Sequence, residues 1–157
     1  MKPLHGVVAL AACLMAVVSV VLAAWLPATE KAASAGDAVS VPLLEIRWHG
    51  GGIVLQGAVR DSATQHALAQ AAAERLGGET DQVTDWLDIK PTGLVVADPA
   101  ALARLIRLGQ EGWHLQRQPA EARLAVQSLA DTRSAQALSL LQSAFGPGVS
   151  ARLVPLP

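Results

Sequence analysis

The chain has 157 residues, 52% of them hydrophobic and 16% charged, with a formal net charge of −1. That near balance excludes a general electrostatic grip on nucleic acid. A single cysteine, Cys13, excludes a disulfide framework and a thiolate metal cluster, and the absence of tyrosine leaves few platforms for stacking bases.

Gly6 to Leu26 carries no charge. At about 1.5 Å per helical residue such a run reaches roughly 30 Å, the thickness of a bilayer core. Lys2 precedes it and Trp25 stands at its far end, where an interfacial aromatic belongs. Residues 1–27 therefore read as a signal anchor or transmembrane helix. Two other readings stay open. Ala33-Ser34-Ala35 is a cleavage pattern beyond the apolar run, and Leu10-Ala11-Ala12-Cys13 resembles a lipobox that would make Cys13 a lipidated N-terminus. All three place the rest of the chain outside the cytoplasm, with the anchor giving a single pass.

Residues 28–42, rich in Ala and Ser with Gly36 and one Asp, read as a linker. Leu43 to His49 predicts a strand, Gly50-Gly51-Gly52 a turn, and Ile53 to Arg60 a returning strand with Ile53, Leu55, Gly57 and Val59 on one face. Asp61 is an N-cap for the alanine-rich helix Ala63 to Leu76, with Leu68, Ala72 and Leu76 as its apolar stripe and Gly77-Gly78 as its end. Val83 to Ile89 predicts a third strand.

Asp98 and Pro99 open a second helix, Pro99 to Leu108. Gly112 to Gln118 and Glu121 to Ala130 predict two more strands around a Pro119-Ala120 turn. Asp131 caps a third helix, Ser134 to Phe145, with Leu138, Leu141 and Phe145 on one side, and Val149 to Val154 predicts a last strand. The pattern thus occurs twice. At an offset of 70, Asp61 matches Asp131, Ala67 matches Ala137, Leu68 matches Leu138 and Gly78 matches Gly148. Trp48-His49 and Trp113-His114 are 65 apart, which a second hairpin connection about five residues longer would explain.

Leu55-Gln56-Gly57-Ala58-Val59, the alanine-rich helix, Gly77-Gly78 and Val83-Thr84-Asp85-Trp86-Leu87 together resemble the BON domain, a small module of bacterial envelope proteins. They match its hydrophobic-x-Gly-x-Val strand and, with Asp85 in the Asn position, its Val-x-Asn-x-Leu strand. The second unit resembles a degenerate copy, with Gln127 where the motif has glycine. An anchor before two such units is also similar to the N-terminal portion of envelope proteins that continue into an outer-membrane-protein-A-like domain; these 157 residues hold no match to that domain, and the resemblance implies a bacterial inner-membrane location with the bulk of the chain in the periplasm.

The expected architecture is α+β. It has two tandem BON-like units, residues 43–91 and 92–157, each a small three-stranded mixed sheet packed by one or two helices and sharing an interface, because about 50 residues bury little core alone.

No nucleophile elbow, phosphate loop or metal-ligand spacing occurs, and the expectation is a protein that is not an enzyme and takes no cofactor. His49 and His114 would approach each other if the units pair. Residues 36–97 hold four basic and eight acidic side chains, whereas residues 98–157 hold six arginines and four acids. The resemblance implies binding of phospholipid, and the basic second half suggests anionic head groups as the partner. Candidate contacts are Arg104, Arg107, Arg117 and Arg123, with Trp48 and Trp113 assigned either to the core or to a lipid or partner surface. The alternative is a protein-interaction scaffold of an envelope, secretion or division complex, with an open sheet edge at Glu121 to Ala130 taking a partner's strand. A homo-oligomer is compatible with either.

Overall fold

The computed structural model describes residues 41–157. The apolar run, Cys13, the cleavage pattern and most of the linker lie outside the described residues. Among the described residues no helix is long and apolar enough to cross a membrane.

Among the described residues the fold is α+β, with six strands and three α-helices. In chain order these are β1 (Leu44–His49), β2 (Gly52–Val59), α1 (Ser62–Arg75), β3 (Val83–Ile89), α2 (Pro99–Leu108), β4 (His114–Arg117), β5 (Glu121–Val126), α3 (Thr132–Phe145) and β6 (Ser150–Pro155). A single 3₁₀ turn, Thr80–Gln82, leads into β3. The strands form one mixed sheet in the order β3-β2-β1-β4-β5-β6, rather than two small three-stranded sheets. β2–β3 and β5–β6 are parallel, and the other three pairs, including the central β1–β4 seam, are antiparallel. A hairpin, a helix and a parallel third strand therefore follow one another twice, on either side of that seam.

Each helix begins where a carboxylate satisfies a free N–H. Asp61 Oδ1 accepts from Thr64 N at 2.7 Å, Asp98 Oδ1 from Ala101 N at 2.9 Å and Asp131 Oδ1 from Arg133 N at 3.3 Å. Pro99 occupies the first turn of α2, where a missing N–H costs nothing.

Strand alternation then decides the layers. Leu55, Ile46, Leu115, Leu124 and Leu153 are consecutive cross-strand partners in one row beneath the helices. The first four are fully buried, each worth about 1.5–3 kcal/mol of transfer energy. α1 adds Leu68, Ala71 and Ala72, and α3 adds Ala137, Leu141, Ala144 and Phe145. Leu138, assigned above to the stripe of α3, is only half-buried. α2 packs between α1 and α3 and buries five of its ten residues. Among the described residues no helix packs on the other sheet face.

Gly57, the motif glycine, sits at φ +137°, and a Cβ there would stand 2.3 Å from the carbonyl oxygen of Leu43. Only glycine lets β1 approach so closely.

Three expectations need correction. Glu121–Val126 is not an edge, because β5 is paired on both sides, and the edges are β3 and β6. The strand also stops at Val126, well short of Ala130. Gln118 and Glu121 exchange both backbone hydrogen bonds across Pro119-Ala120, so the second hairpin turn is as long as Gly50-Gly51 and not five residues longer. In consequence Trp48 and Trp113 do not correspond. Trp48 stands opposite Ile53 beside its turn, and the residue in that position of the second hairpin is Arg117, opposite Ala122. The tryptophans meet only because β1 and β4 run antiparallel.

Candidate functional site

The uncovered sheet face is built by the residues of opposite parity to the core. One unbroken cross-strand row runs over all six strands: Trp86, Gln56, Glu45, Gln116, Arg123, Arg152. A second row runs Thr84, Val54, Arg47, His114, Ala125, Val154. The face is aromatic at its β3 end and cationic at its β6 end.

At the β3 end lies a groove of about 780 Å³. Trp86, 64% exposed, is one wall, and Val41 and Leu43, 80% and 40% exposed, form another. Between them lie Gln56, Ala58, Asp88 and Lys90. Of the six large hydrophobic residues exposed among the described residues, three thus line one groove. Trp86 is outward because it shares parity with Thr84 and Asp88, while Leu87 turns inward and is buried.

At the centre, Glu45 is buried on the open face beside a guanidinium and an imidazole. Arg47 Nε donates to Glu45 Oε1 at 2.6 Å. His114 Nε2 lies 2.5 Å from the same oxygen, and since an ionised carboxylate only accepts, the imidazole donates. Burial pushes the Glu45 carboxyl up, but the hydrogen bonds and charges of Arg47 and His114 outweigh it and hold the carboxyl below its ordinary 4.5. His49 and His114 line one shallow hollow of about 490 Å³, with Arg47 and Val54. Among the described residues no group of three or more His, Cys, Asp or Glu side chains is placed to hold a metal ion.

The candidate contacts are scattered. Arg104 and Arg107 lie on the outer side of α2, in the helical layer. Arg107 Nη1 meets Glu74 Oε2 at 2.8 Å, and Arg104 Nη2 lies 4.0 Å from Asp98 Oδ2. Arg123 is on the open face, its Nε 2.7 Å from Glu121 Oε2. The sheet separates the α2 arginines from Arg123, so one flat surface cannot meet all three.

Arg117 and both tryptophans are not on the surface. Arg117 is 6% exposed, with its guanidinium 5.3 Å from the centre of the Phe145 ring, and its Nε and Nη1 find no hydrogen-bond partner among the described residues. Burial lowers its pKa. Trp48 donates Nε1 to the Ile106 carbonyl at 3.0 Å and meets Trp113 edge to face, ring centres 6.4 Å apart. Both indoles are core residues of the seam.

The sequence alone does not single out Trp86 or Glu45. Parity alone would have placed Trp86 outward. Arg47 stands two residues from Glu45 on the same strand, but His114 comes from a strand 69 residues away and leaves no local signal. A scan of family models finds no match to the chain, and searches of curated proteins and of solved structures find none either.

Proposed function

We propose that this chain is a non-enzymatic, membrane-anchored protein of the bacterial envelope. Its two tandem BON-like units lay the open sheet face on a phospholipid surface. The observation that carries this reading is the clustering of Trp86, Val41 and Leu43 around one exposed groove. An indole at a groove mouth suits the head-group region, where its apolar body and polar N–H both find partners. Val41 follows the apolar run Gly6–Leu26 after only 14 residues, so an anchored chain keeps the groove close to the bilayer. Lys90, Arg47, Arg123 and Arg152 on the same side add attraction for anionic head groups, tempered by Asp88 and Glu121. Two repeats of hairpin, helix and parallel strand about the seam, together with the Gly57 and Val83–Leu87 motifs, support the likeness to BON domains.

The test is flotation of the fragment Ser40–Pro157 with neutral and anionic vesicles across a salt series. Trp48 and Trp113 are buried in that fragment, so a blue shift of its emission reports Trp86. Binding that weakens with salt, and that Trp86→Ala removes while Arg104→Ala and Arg107→Ala leave it intact, supports the reading. No binding to either vesicle would sink it.

A further inference from the structure

The two edges of the sheet are finished differently. In β3 the even-numbered residues face β2, as the Lys90 N–H shows by donating to the Val59 carbonyl at 2.9 Å. Asp85, Leu87 and Ile89 therefore turn their backbone groups outward. The middle of that edge is covered by side chains. Leu87 N donates to Asp85 Oδ1 at 3.0 Å, while Gln65 Nε2 donates to the Leu87 carbonyl at 3.1 Å and to Asp85 Oδ2 at 3.2 Å. This is one way a native fold keeps an edge from pairing with another chain.

In β6, Ser150 N donates to the Ala120 carbonyl and Leu156 N to the Val126 carbonyl, both at 3.0 Å. By the two-residue period Arg152 and Val154 also face β5, so Ala151 and Leu153 present N–H and C=O outward. No hydrogen bond from the described residues covers these four groups. Pro155 closes the strip at one end.

We infer that the β6 edge is a strand-addition site for a short, extended, acidic peptide segment of another protein. The backbone supplies two donor–acceptor pairs, the means by which an added strand binds. The charge comes from Glu121, whose single carboxylate serves both Arg123 and Arg152. Two guanidinium groups against one carboxylate leave a positive charge uncompensated on the open face, and the Arg152 side chain is 50% exposed. An acidic side chain on an incoming strand would stand about 5 Å from Arg152, the usual cross-strand distance, and complete the balance. A groove of about 720 Å³ on the helical side, lined by Ser139, Gln142 and Ser143 of α3 and by Ala151, gives the alternate side chains of that strand room and polar contacts. A second copy is a poorer occupant. Antiparallel pairing of β6 with β6 brings Arg152 toward its own twin, and β3 is covered. The site lies at the opposite end of the sheet from Trp86 and does not rest on the membrane reading.

The experiment is a titration of the ¹⁵N-labelled full chain in micelles with the capped peptide Ser-Val-Glu-Val-Thr and with its counterpart carrying lysine for glutamate. Saturable shifts and slowed exchange at the Ala151 and Leu153 amides are expected, with the glutamate peptide tighter by about threefold to tenfold. Arg152→Glu, an exposed change, should invert that order. Ala151→Pro removes an outward N–H without touching a bond to β5, and should abolish the shifts while the Ser150 and Arg152 amides keep their native positions. Shifts confined to other residues, or none at millimolar peptide, would overturn the proposal. So would protection of Ala151 and Leu153 that needs no peptide and grows with protein concentration, because a second copy would then be the occupant.

Discussion

Gly109 lies flat against the indole of Trp48: a Cβ on Gly109 would stand 2.2 Å from Nε1 and Cε2 of the ring. The ring cannot retreat, because its Nε1 is bonded to the Ile106 carbonyl and its far side meets Trp113. Gly109→Ala should therefore cost about 1–3 kcal/mol, read as a fall in the urea midpoint. The atoms in the way lie on the rim of the indole, beyond the reach of a leucine side chain. The double variant Gly109→Ala/Trp48→Leu should be more stable than the two single losses predict; strict additivity would count against direct contact.

Arg117 is a buried cation with a ring for a neighbour and, among the described residues, no carboxylate partner. An uncompensated buried charge is replaced at little or no loss by an apolar side chain of similar length. Arg117→Met should leave stability unchanged or raise it by about 1–2 kcal/mol in urea melts. A marked loss would mean that the guanidinium has a binding partner in the native protein.

The acid limb of stability should pass through Glu45. A carboxyl whose pKa is lowered on folding stabilises the fold above its unfolded value and loses that contribution as pH falls through the folded value. Glu45 is held below 4.5 by Arg47 and His114 against the pull of burial. Asp61 is held below 3.8, chiefly by the Thr64 N–H and hydroxyl. The parent should thus lose stability progressively below about pH 4.5, and Glu45→Gln should show a shallower slope there. Identical slopes would show that Glu45 titrates alike in both states.

Asp98→Ala removes the acceptor of the Ala101 N–H at the start of the most buried helix. A loss of about 0.5–2 kcal/mol is expected, with Asp98→Asn close to parent because an amide oxygen still caps. Circular dichroism during thermal unfolding separates the two.

Opening the covered edge should change behaviour in concentrated solution. Gln65→Ala with Asp85→Ala strips the side chains from the Leu87 backbone groups and should raise self-association, measured by sedimentation, with little change in the monomer's spectrum. Unchanged sedimentation would mean that the covering bonds do not guard β3.

Much of the local fold was legible. Val83–Ile89 and Pro99–Leu108 agree residue for residue with the strand and helix read from alternation and from the Asp98-Pro99 start. All three aspartate caps are in place because capping is local chemistry. What alternation cannot tell is which strand lies beside which. β5 looked like an edge because nothing in Glu121–Val126 records that β6 returns beside it. Trp48 and Trp113 looked equivalent because each precedes a histidine, whereas the strands' opposed directions decide their meeting. The site suffered similarly. Arginines were counted along the chain, but the sheet sorts them onto two sides and buries one. Trp86, whose parity was visible, was passed over in favour of tryptophans that fill the core.

The unequal edges set a valence. Five strand spacings of about 4.8 Å hold them roughly 24 Å apart, one masked and one bare. A sheet that can be lengthened from one side only does not polymerise. It accepts one guest and stops, so an assembly growing by strand addition toward β6 would end at this protein, with the Gln65–Asp85 cover as its blunt terminus.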